Sequence, residues 1–247
     1  MDHFALYALA AFIVGTSKGG LSSAAALAIP LLSIWMDPLT AAGVLLPVYI
    51  ASDVFGVWLY RHEYSTPNLK VLIPAGAAGV AIAALLAGWL SGPLATLLTG
   101  AIGLSYCIQA TVRKLRAQTA PHPFDARKGV FWGILTGITS FISHSGAPPF
   151  QAFVLPQGLP KMNYAGTVTI VFAAVNLCKL PAYAAVGLMH DFAWKGFLAM
   201  AAIAAAGVLT GRKITQWLPD RIYIAFIQVT LFVLSVYLVW EGLAALA

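Results

Sequence analysis

The sequence predicts an all-α integral membrane protein made of two homologous, inverted halves, each a broken or re-entrant helical region followed by three transmembrane helices. Three observations carry this expectation. Of 247 residues, 60% are hydrophobic and only 9% charged, with a mean hydropathy of +0.86, a balance that no soluble core of this size requires. The apolar stretches are long and lack the period-two alternation of an outer-membrane barrel, which leaves helices as the spanning element. The two sides of a polar central stretch also resemble each other.

A full crossing takes about 20 apolar residues. Residues 39–60, 69–90, 93–112, 161–187, 193–211 and 221–246 meet or approach that length. Residues 4–36 and 129–156 do not fit so simply, because each is too long for one span and is interrupted near its middle by Gly, Ser and a basic residue. Each reads as two short helices meeting inside the membrane, either as a re-entrant hairpin or as one broken crossing. The opening MDHFALYALAAFIVG has no positive leader segment and the apolar pattern resumes after Gly20, so a cleaved signal peptide is not expected. Cys107 and Cys178 lie in separate apolar stretches and read as packing residues, not as a disulfide or metal pair.

The longest polar connection, RKLRAQTAPHPFDARKG, divides the chain almost in half. A shift of 126 residues lays SKGGLSSAAALAIP (residues 17–30) over SHSGAPPFQAFVLP (residues 143–156). Lys18 then falls on His144, Gly20 on Gly146 and Pro30 on Pro156. After a shorter loop the offset becomes 123, pairing Ala42-Gly43 with Ala165-Gly166, Asp53 with Asn176, and Tyr60 with Tyr183. The chain is thus expected to form a single transmembrane domain, 1–247, with halves at about 1–112 and 129–247 joined by a cytoplasmic connection at about 113–128.

The formal net charge of +6 sits mostly in short connections, which points to membrane topology and away from nucleic acid. Arg61 and Lys70 flank one loop, five basic residues crowd the central one, and Arg212, Lys213 and Arg221 mark the last. All three are cytoplasmic, by the positive-inside rule, only if residues 129–156 return to the side they started from. Each half then has an odd number of spans and the halves are inverted, an architecture of secondary transporters. Trp58, Tyr60, Trp194 and Trp217, near span ends, read as interfacial anchors.

The chemistry concentrates at the two interruptions. Gly19 and Gly20 tolerate backbone conformations that other residues resist, and Ser22 and Ser23 suit the N-cap of the helix that follows. At the second interruption Ser143 and Ser145 precede Gly146, and Pro148 or Pro149 suits a first helical position. Both would present helix N-termini, whose unpaired N–H groups bind anions. Lys18 and Lys179 lie in apolar stretches, where an unpaired cation costs about 2.5–3.5 kcal/mol on insertion scales. His144 adds a third basic group, and Asp53 is the one carboxylate similarly placed mid-span.

Each residue also has a plainer role open to it. Lys18 could snorkel to an interface, and Lys179 could satisfy carbonyls freed by Pro181. Asn176, one turn before Lys179, could be interhelical glue. His144 could hydrogen-bond in a core, Asp53 could be a counter-ion for a lysine, and Gln151 and Thr167 could be helix contacts.

The pattern G-x-x-x-G-G with a proline ten residues after the second glycine, its echo SHSGAPP, and the stretch AGTVTIVFAAVNLCKLPAY together resemble the TauE/SafE sulfite exporter family, also called the TSUP permeases. The resemblance spans essentially the whole chain and is strongest over residues 133–183. It departs from the family pattern at SKGGLSS and SHSGAPP, where lysine and histidine stand in place of common small residues. The resemblance implies a multi-pass permease of the cell (inner) membrane for sulfite, organosulfonates and related sulfur-containing anions.

The expected function is secondary transport of such an anion, bound near the midplane between the two broken regions. Substrate contacts are expected from Ser17, Lys18, Gly19, Gly20, Ser22, Ser143, His144, Ser145, Gly146, Gln151, Thr167, Asn176 and Lys179. Asp53 and His144 are candidate proton carriers, and the expected partners are the anion, the lipid bilayer, and protons or a counter-anion, with no nucleic acid. No cofactor, metal or catalytic residue is expected, and the lack of a GxxxxGK[ST] motif argues against intrinsic ATP-driven pumping. A passive anion channel and, from the adjacent Ser143, His144 and Ser145, an intramembrane serine hydrolase are the rival readings.

Overall fold

A computed structural model of the chain describes residues 4–32, 36, 38–86, 92–116, 120–185 and 196–246. Among the described residues the regular elements are all helical. They are α1 (Phe4–Lys18), α2 (Ala28–Leu32), α3 (Pro38–Tyr60), α4 (Thr66–Leu85), α5 (Gly92–Leu115), α6 (Ala126–Ser143), α7 (Ala147–Val154), α8 (Lys161–Ala185), α9 (Phe197–Trp217) and α10 (Asp220–Ala244). Short 3₁₀ turns at Ser22–Leu27 and Leu155–Gln157 complete the two interrupted regions. Over its described residues each of the six expected spans is therefore helical, residues 87–90, 186–187 and 193–195 lying outside them, and both interruptions fall where Gly and Ser interrupt the apolar pattern, at residues 19–21 and 144–146.

Among the described residues five helices are long and apolar enough to cross a membrane, α3 (from Thr40), α4, α8, α9 and α10. The protein is thus a multi-pass membrane protein. The sixth expected span, α5, is 24 residues long but is not among the five. Its sequence is free of charged residues through Val112, and Arg113 and Lys114 occupy its last turn.

The chain forms two compact units, one comprising Met1–Tyr64 with Lys161–Tyr223, the other Ser65–Pro160 with Ile224–Ala247. In the first unit α1 packs along α9, and α3 along α8. Small residues make the α1–α9 contact possible. A Cβ at Gly15 would collide with Ala204 O, one at Gly19 with Val208 O, and one at Gly211 with Thr16 O. Gly15 and Gly19, like Gly207 and Gly211, are spaced small-xxx-small, the pattern that lets membrane helices approach backbone to backbone. The contacts advance together along both chains, so α1 and α9 run parallel.

By the same test α3 and α8 run antiparallel, with Gly56 beside Thr169 and Gly166 beside Glu63 O. After its 3₁₀ turn the chain doubles back so that α2 packs on α1 and α3. Ala10, Val14, Ala28, Leu32, Leu45 and Val48 form the buried apolar cluster there.

The second unit repeats the device with α4 and α6. A Cβ at Gly79 would collide with Ile134 O, and one at Gly137 with Gly76 O. Gly129 lies beside Val71 and Gly133 beside Ala75, so α4 and α6 run parallel. Gln157, at the end of the second interrupted region, exchanges hydrogen bonds of 2.8 and 3.2 Å with Asn68 at the start of α4. His122 N, just ahead of α6, donates to Pro156 O at 2.8 Å. Residues 126–157 therefore begin and end at one end of α4, which makes this region a hairpin and not a broken crossing.

Two expectations are corrected. Ser22 and Ser23 do not cap an α-helix: they open a six-residue 3₁₀ turn whose N-cap is Leu21, and α2 beyond it has only five residues. Tyr60 is no interfacial anchor. It is fully buried, whereas Trp58 and Trp217 are 61% and 75% exposed, and Trp194 lies outside the described residues.

The glycine contacts give a direct test. Gly211→Val should destabilise the protein by about 1–3 kcal/mol or more, the cost of overpacking a close contact. Leu198→Ala, at a position 81% exposed, should be nearly silent. Thermal unfolding of the two purified variants in detergent compares them, and equal melting temperatures would contradict the close α1–α9 contact.

Candidate functional site

The polar core of the first unit forms where α3 and α8 cross. On α3, Tyr49, Asp53 and Gly56 follow one another at i, i+4 and i+7, and so lie on one helix face. On α8, Phe172, Asn176 and Lys179 follow the same spacing. Each of these three pairs is related by the repeat offset, as the 123-residue separation of Asp53 and Asn176 shows. The two chain segments therefore bring equivalent faces together, and Asn176 Nδ2 donates to Asp53 Oδ2 at 2.7 Å.

Lys18, the last residue of α1, reaches this crossing. Its Nζ lies 2.7 Å from Asp53 Oδ1, 5.2 Å from the centre of the Tyr49 ring and 5.9 Å from that of Phe172. Cation–π attraction to two rings adds to the ion pair in a site closed to water. Gly56 leaves room for this arrival, since a Cβ there would lie 3.2 Å from Lys18 O and 3.3 Å from Lys18 Cβ. Thr169 Oγ1 donates to Lys18 O at 3.1 Å. Lys18 is only 5% exposed, so it does not snorkel to an interface.

Lys179 is fully buried, and its charge interacts with those of Lys18 and Asp53. Among the described residues the cluster thus holds two lysines and one carboxylate, a formal excess of one basic group. The plainer role considered for Asp53, counter-ion to a lysine, is the one its geometry displays.

The interruption after α1 is organised around carbonyls. Gly19 O accepts from Tyr60 Oη at 2.6 Å and from Thr215 Oγ1 at 3.1 Å, and Gly20 O accepts from Tyr223 Oη at 2.7 Å. Gly20 has a φ of 114°, a conformation that L side chains rarely adopt. The N–H groups of Gly19, Gly20 and Leu21 bond back to Gly15, Ser17 and Thr16 carbonyls. They close α1 and do not form an anion cradle. Ser17 Oγ donates to Val14 O at 2.7 Å and Thr167 Oγ1 to Asn163 O at 2.6 Å, so both hydroxyl protons serve their own helices. Ser22 is buried.

In the second unit, His144 caps α6 in the left-handed region with φ 52°, and its N–H donates to Ser140 O at 3.1 Å. His144, Ser145 and Gln151 are all buried, while the Ser143 side chain lies outside those described. Gly146 is the N-cap of α7, whose second and third residues are Pro148 and Pro149. Those prolines have no N–H to offer, so few backbone donors remain at this helix start.

Several of these residues escape sequence reasoning. Tyr49 and Phe172 are legible in principle, because each sits one turn before a polar residue already paired by the repeat. Thr215 and Tyr223 carry no such signal, since they reach the glycines only through the tertiary fold.

The ion pair makes a quantitative expectation. Asp53→Leu should destabilise the protein by about 3–5 kcal/mol, because removing one partner strands a buried charge. The double variant Lys18→Met/Asp53→Leu should recover most of that loss. Unfolding in detergent across the double-mutant cycle measures the coupling, and additive losses would refute it.

A family model described as "Sulfite exporter TauE/SafE" matches residues 7–238 of the chain. No curated protein and no solved structure matches it.

Proposed function

The chain belongs to the TauE/SafE sulfite exporter family, whose members are membrane transporters of sulfur anions and not enzymes, and on that premise we propose that it is a secondary transporter for a small sulfur oxyanion, sulfite or an organosulfonate, engaged at the Lys18–Asp53–Lys179 cluster. The observation that carries this reading is the excess of buried cation, two lysines against one carboxylate at the crossing of α3 and α8. A monoanion, a sulfonate or the hydrogensulfite form of sulfite, completes the balance. Sulfite and sulfonates present three oxygens on one centre, which lets a single ligand accept from both ammonium groups and from the Asn176 amide.

In this scheme the arriving oxyanion takes Asp53's place against Lys18. Asp53 acts as a tethered competitor for the ammonium, so Lys18 always has an anionic partner and is never left alone in the membrane interior. Displaced from Lys18, Asp53 is the candidate proton carrier, with His144 of the second unit as the other. Anion exchange without protons is the simpler alternative, and a pH gradient separates the two.

Inverted halves at about 1–112 and 129–247 supply the alternating access. Two observations favour them. The repeat-equivalent helices α3 and α8 run antiparallel, and they touch at the equivalent residues Asp53 and Asn176. Residues related by a two-fold operation touch only near its axis, so an axis passing across α3 and α8 at this point accounts for the contact. The hairpin at 126–157 also returns the chain to the end at which it began, as the topology requires.

In proteoliposomes, Lys18→Ala and Lys179→Ala should each weaken sulfite or organosulfonate binding roughly ten- to a hundredfold, the worth of one charge-assisted hydrogen bond. Leu198→Ala should transport normally. Saturable counterflow would mark a carrier and exclude a channel. No flux with any sulfur oxyanion, or unchanged flux in both lysine variants, would sink the proposal, and indifference to a pH gradient would remove the proton arm alone.

A further inference from the structure

A cavity of about 700 Å³ lies in the second unit, well away in sequence from the lysine cluster and with no part in the transport scheme above. Its rim carries three permanent cations, Arg113 and Lys114 from the end of α5 and Lys128 from the start of α6. One carboxylate, Asp125, faces them. That carboxylate is already engaged: its Oδ1 caps α6 by accepting from Arg127 N at 2.9 Å and Lys128 N at 3.2 Å, and its Oδ2 lies 3.8 Å from Lys128 Nζ, so one carboxylate stands against three cations. Arg113 donates one bond, at 2.7 Å, to Ala120 O, and a guanidinium has five N–H donors in all. The rim therefore presents a surplus of donors and positive charge.

The walls have a different chemistry. Trp132, Phe153 and Ile224 line the cavity with apolar surface. The helices that supply two of them continue outward as apolar, exposed faces, with Phe131 58% exposed beside Trp132, and Phe226 and Val229 40% and 62% exposed beyond Ile224. Tyr106, Gln109 and Gln228 add polar groups to the lining, but a soluble anion gains nothing from its apolar part. A ligand with a phosphate at one end and hydrocarbon at the other fits both parts.

We propose that this cavity binds an anionic phospholipid, with its phosphate held by Arg113, Lys114 and Lys128 and its glycerol and upper chains against Trp132, Phe153 and Ile224. Basic pockets between membrane helices are a recurring form of anionic headgroup site. The His122 N to Pro156 O bond of 2.8 Å joins two stretches of the lining, so residues 121–123 are tied to the end of the 126–157 hairpin.

Trp132 offers a local reporter. The protein is reconstituted in phosphatidylcholine containing either brominated phosphatidylglycerol or brominated phosphatidylcholine, and the part of the fluorescence that Trp132→Phe removes is followed. Phosphatidylglycerol should quench that part preferentially. Each neutralised cation should reduce the preference roughly fivefold, so that Arg113→Gln/Lys114→Gln/Lys128→Gln abolishes it. Lys114→Gln/Lys128→Gln leaves the Arg113 to Ala120 bond intact and should show roughly a twenty-fivefold loss even if the triple variant folds poorly. Equal quenching by the two lipids overturns the proposal, as does a preference that survives both variants. Displacement of the effect by inorganic phosphate at concentrations too low to screen charge would identify a soluble-anion site and overturn it as well. Transport by the double variant is read separately, so failure of lipid binding and failure of the transport reading remain distinct results.

Discussion

An ammonium group buried in a membrane span needs a partner, and in this protein Lys18 meets a carboxylate 2.7 Å away. Most of the first unit can be understood as what that contact demands. Desolvating both charges is costly, and the pair is retained only where further hydrogen bonds and polarisable groups surround it. Asn176 supplies the second bond to Asp53, and the faces of Tyr49 and Phe172 flank the ammonium. Gly56 withholds a side chain so that the end of α1 can come close. The contact also dictates where α1 must end, which explains why Gly15 and Gly19 are pressed against the backbone of α9.

The same sequence devices recur in the other unit without the charge. α4 and α6 approach through glycines much as α1 and α9 do, yet His144 caps the end of α6 where Lys18 closes α1. The faces of α3 and α8 differ in the same restrained way. Asp53 faces Asn176, Tyr49 corresponds to Phe172, and Gly56 corresponds to Lys179. Nearly equivalent backbones thus carry unequal charges, and the inequality leaves the positive excess on which the proposed anion site rests.

Much of this arrangement is legible in the amino-acid sequence. Helix positions follow from apolar run lengths, and the two interruptions from Gly, Ser and a basic residue set in apolar sequence. The offset that pairs Asp53 with Asn176 anticipates two residues that prove to be in contact. What is not legible depends on which groups meet across the fold. The glycine pair at residues 19 and 20 suggests free N–H donors, but those donors close α1, and its carbonyls are the groups that need partners. Tyr60 looks like an anchor because span-end aromatics commonly are. Its hydroxyl is instead drawn inward to Gly19 O, a destination that no local pattern encodes.

The capping of Gly19 and Gly20 also bears on how the tip of α1 can behave. Its two carbonyls are held by hydroxyls from three different helices, Tyr60 of α3, Thr215 of α9 and Tyr223 of α10. A tip tethered to one neighbour could fray by small steps. One tethered to three must release them together or carry them along, because an orphaned carbonyl has no water to turn to in that interior. A displacement of Lys18 that carries Gly19 and Gly20 with it must therefore break or move bonds at three helix ends.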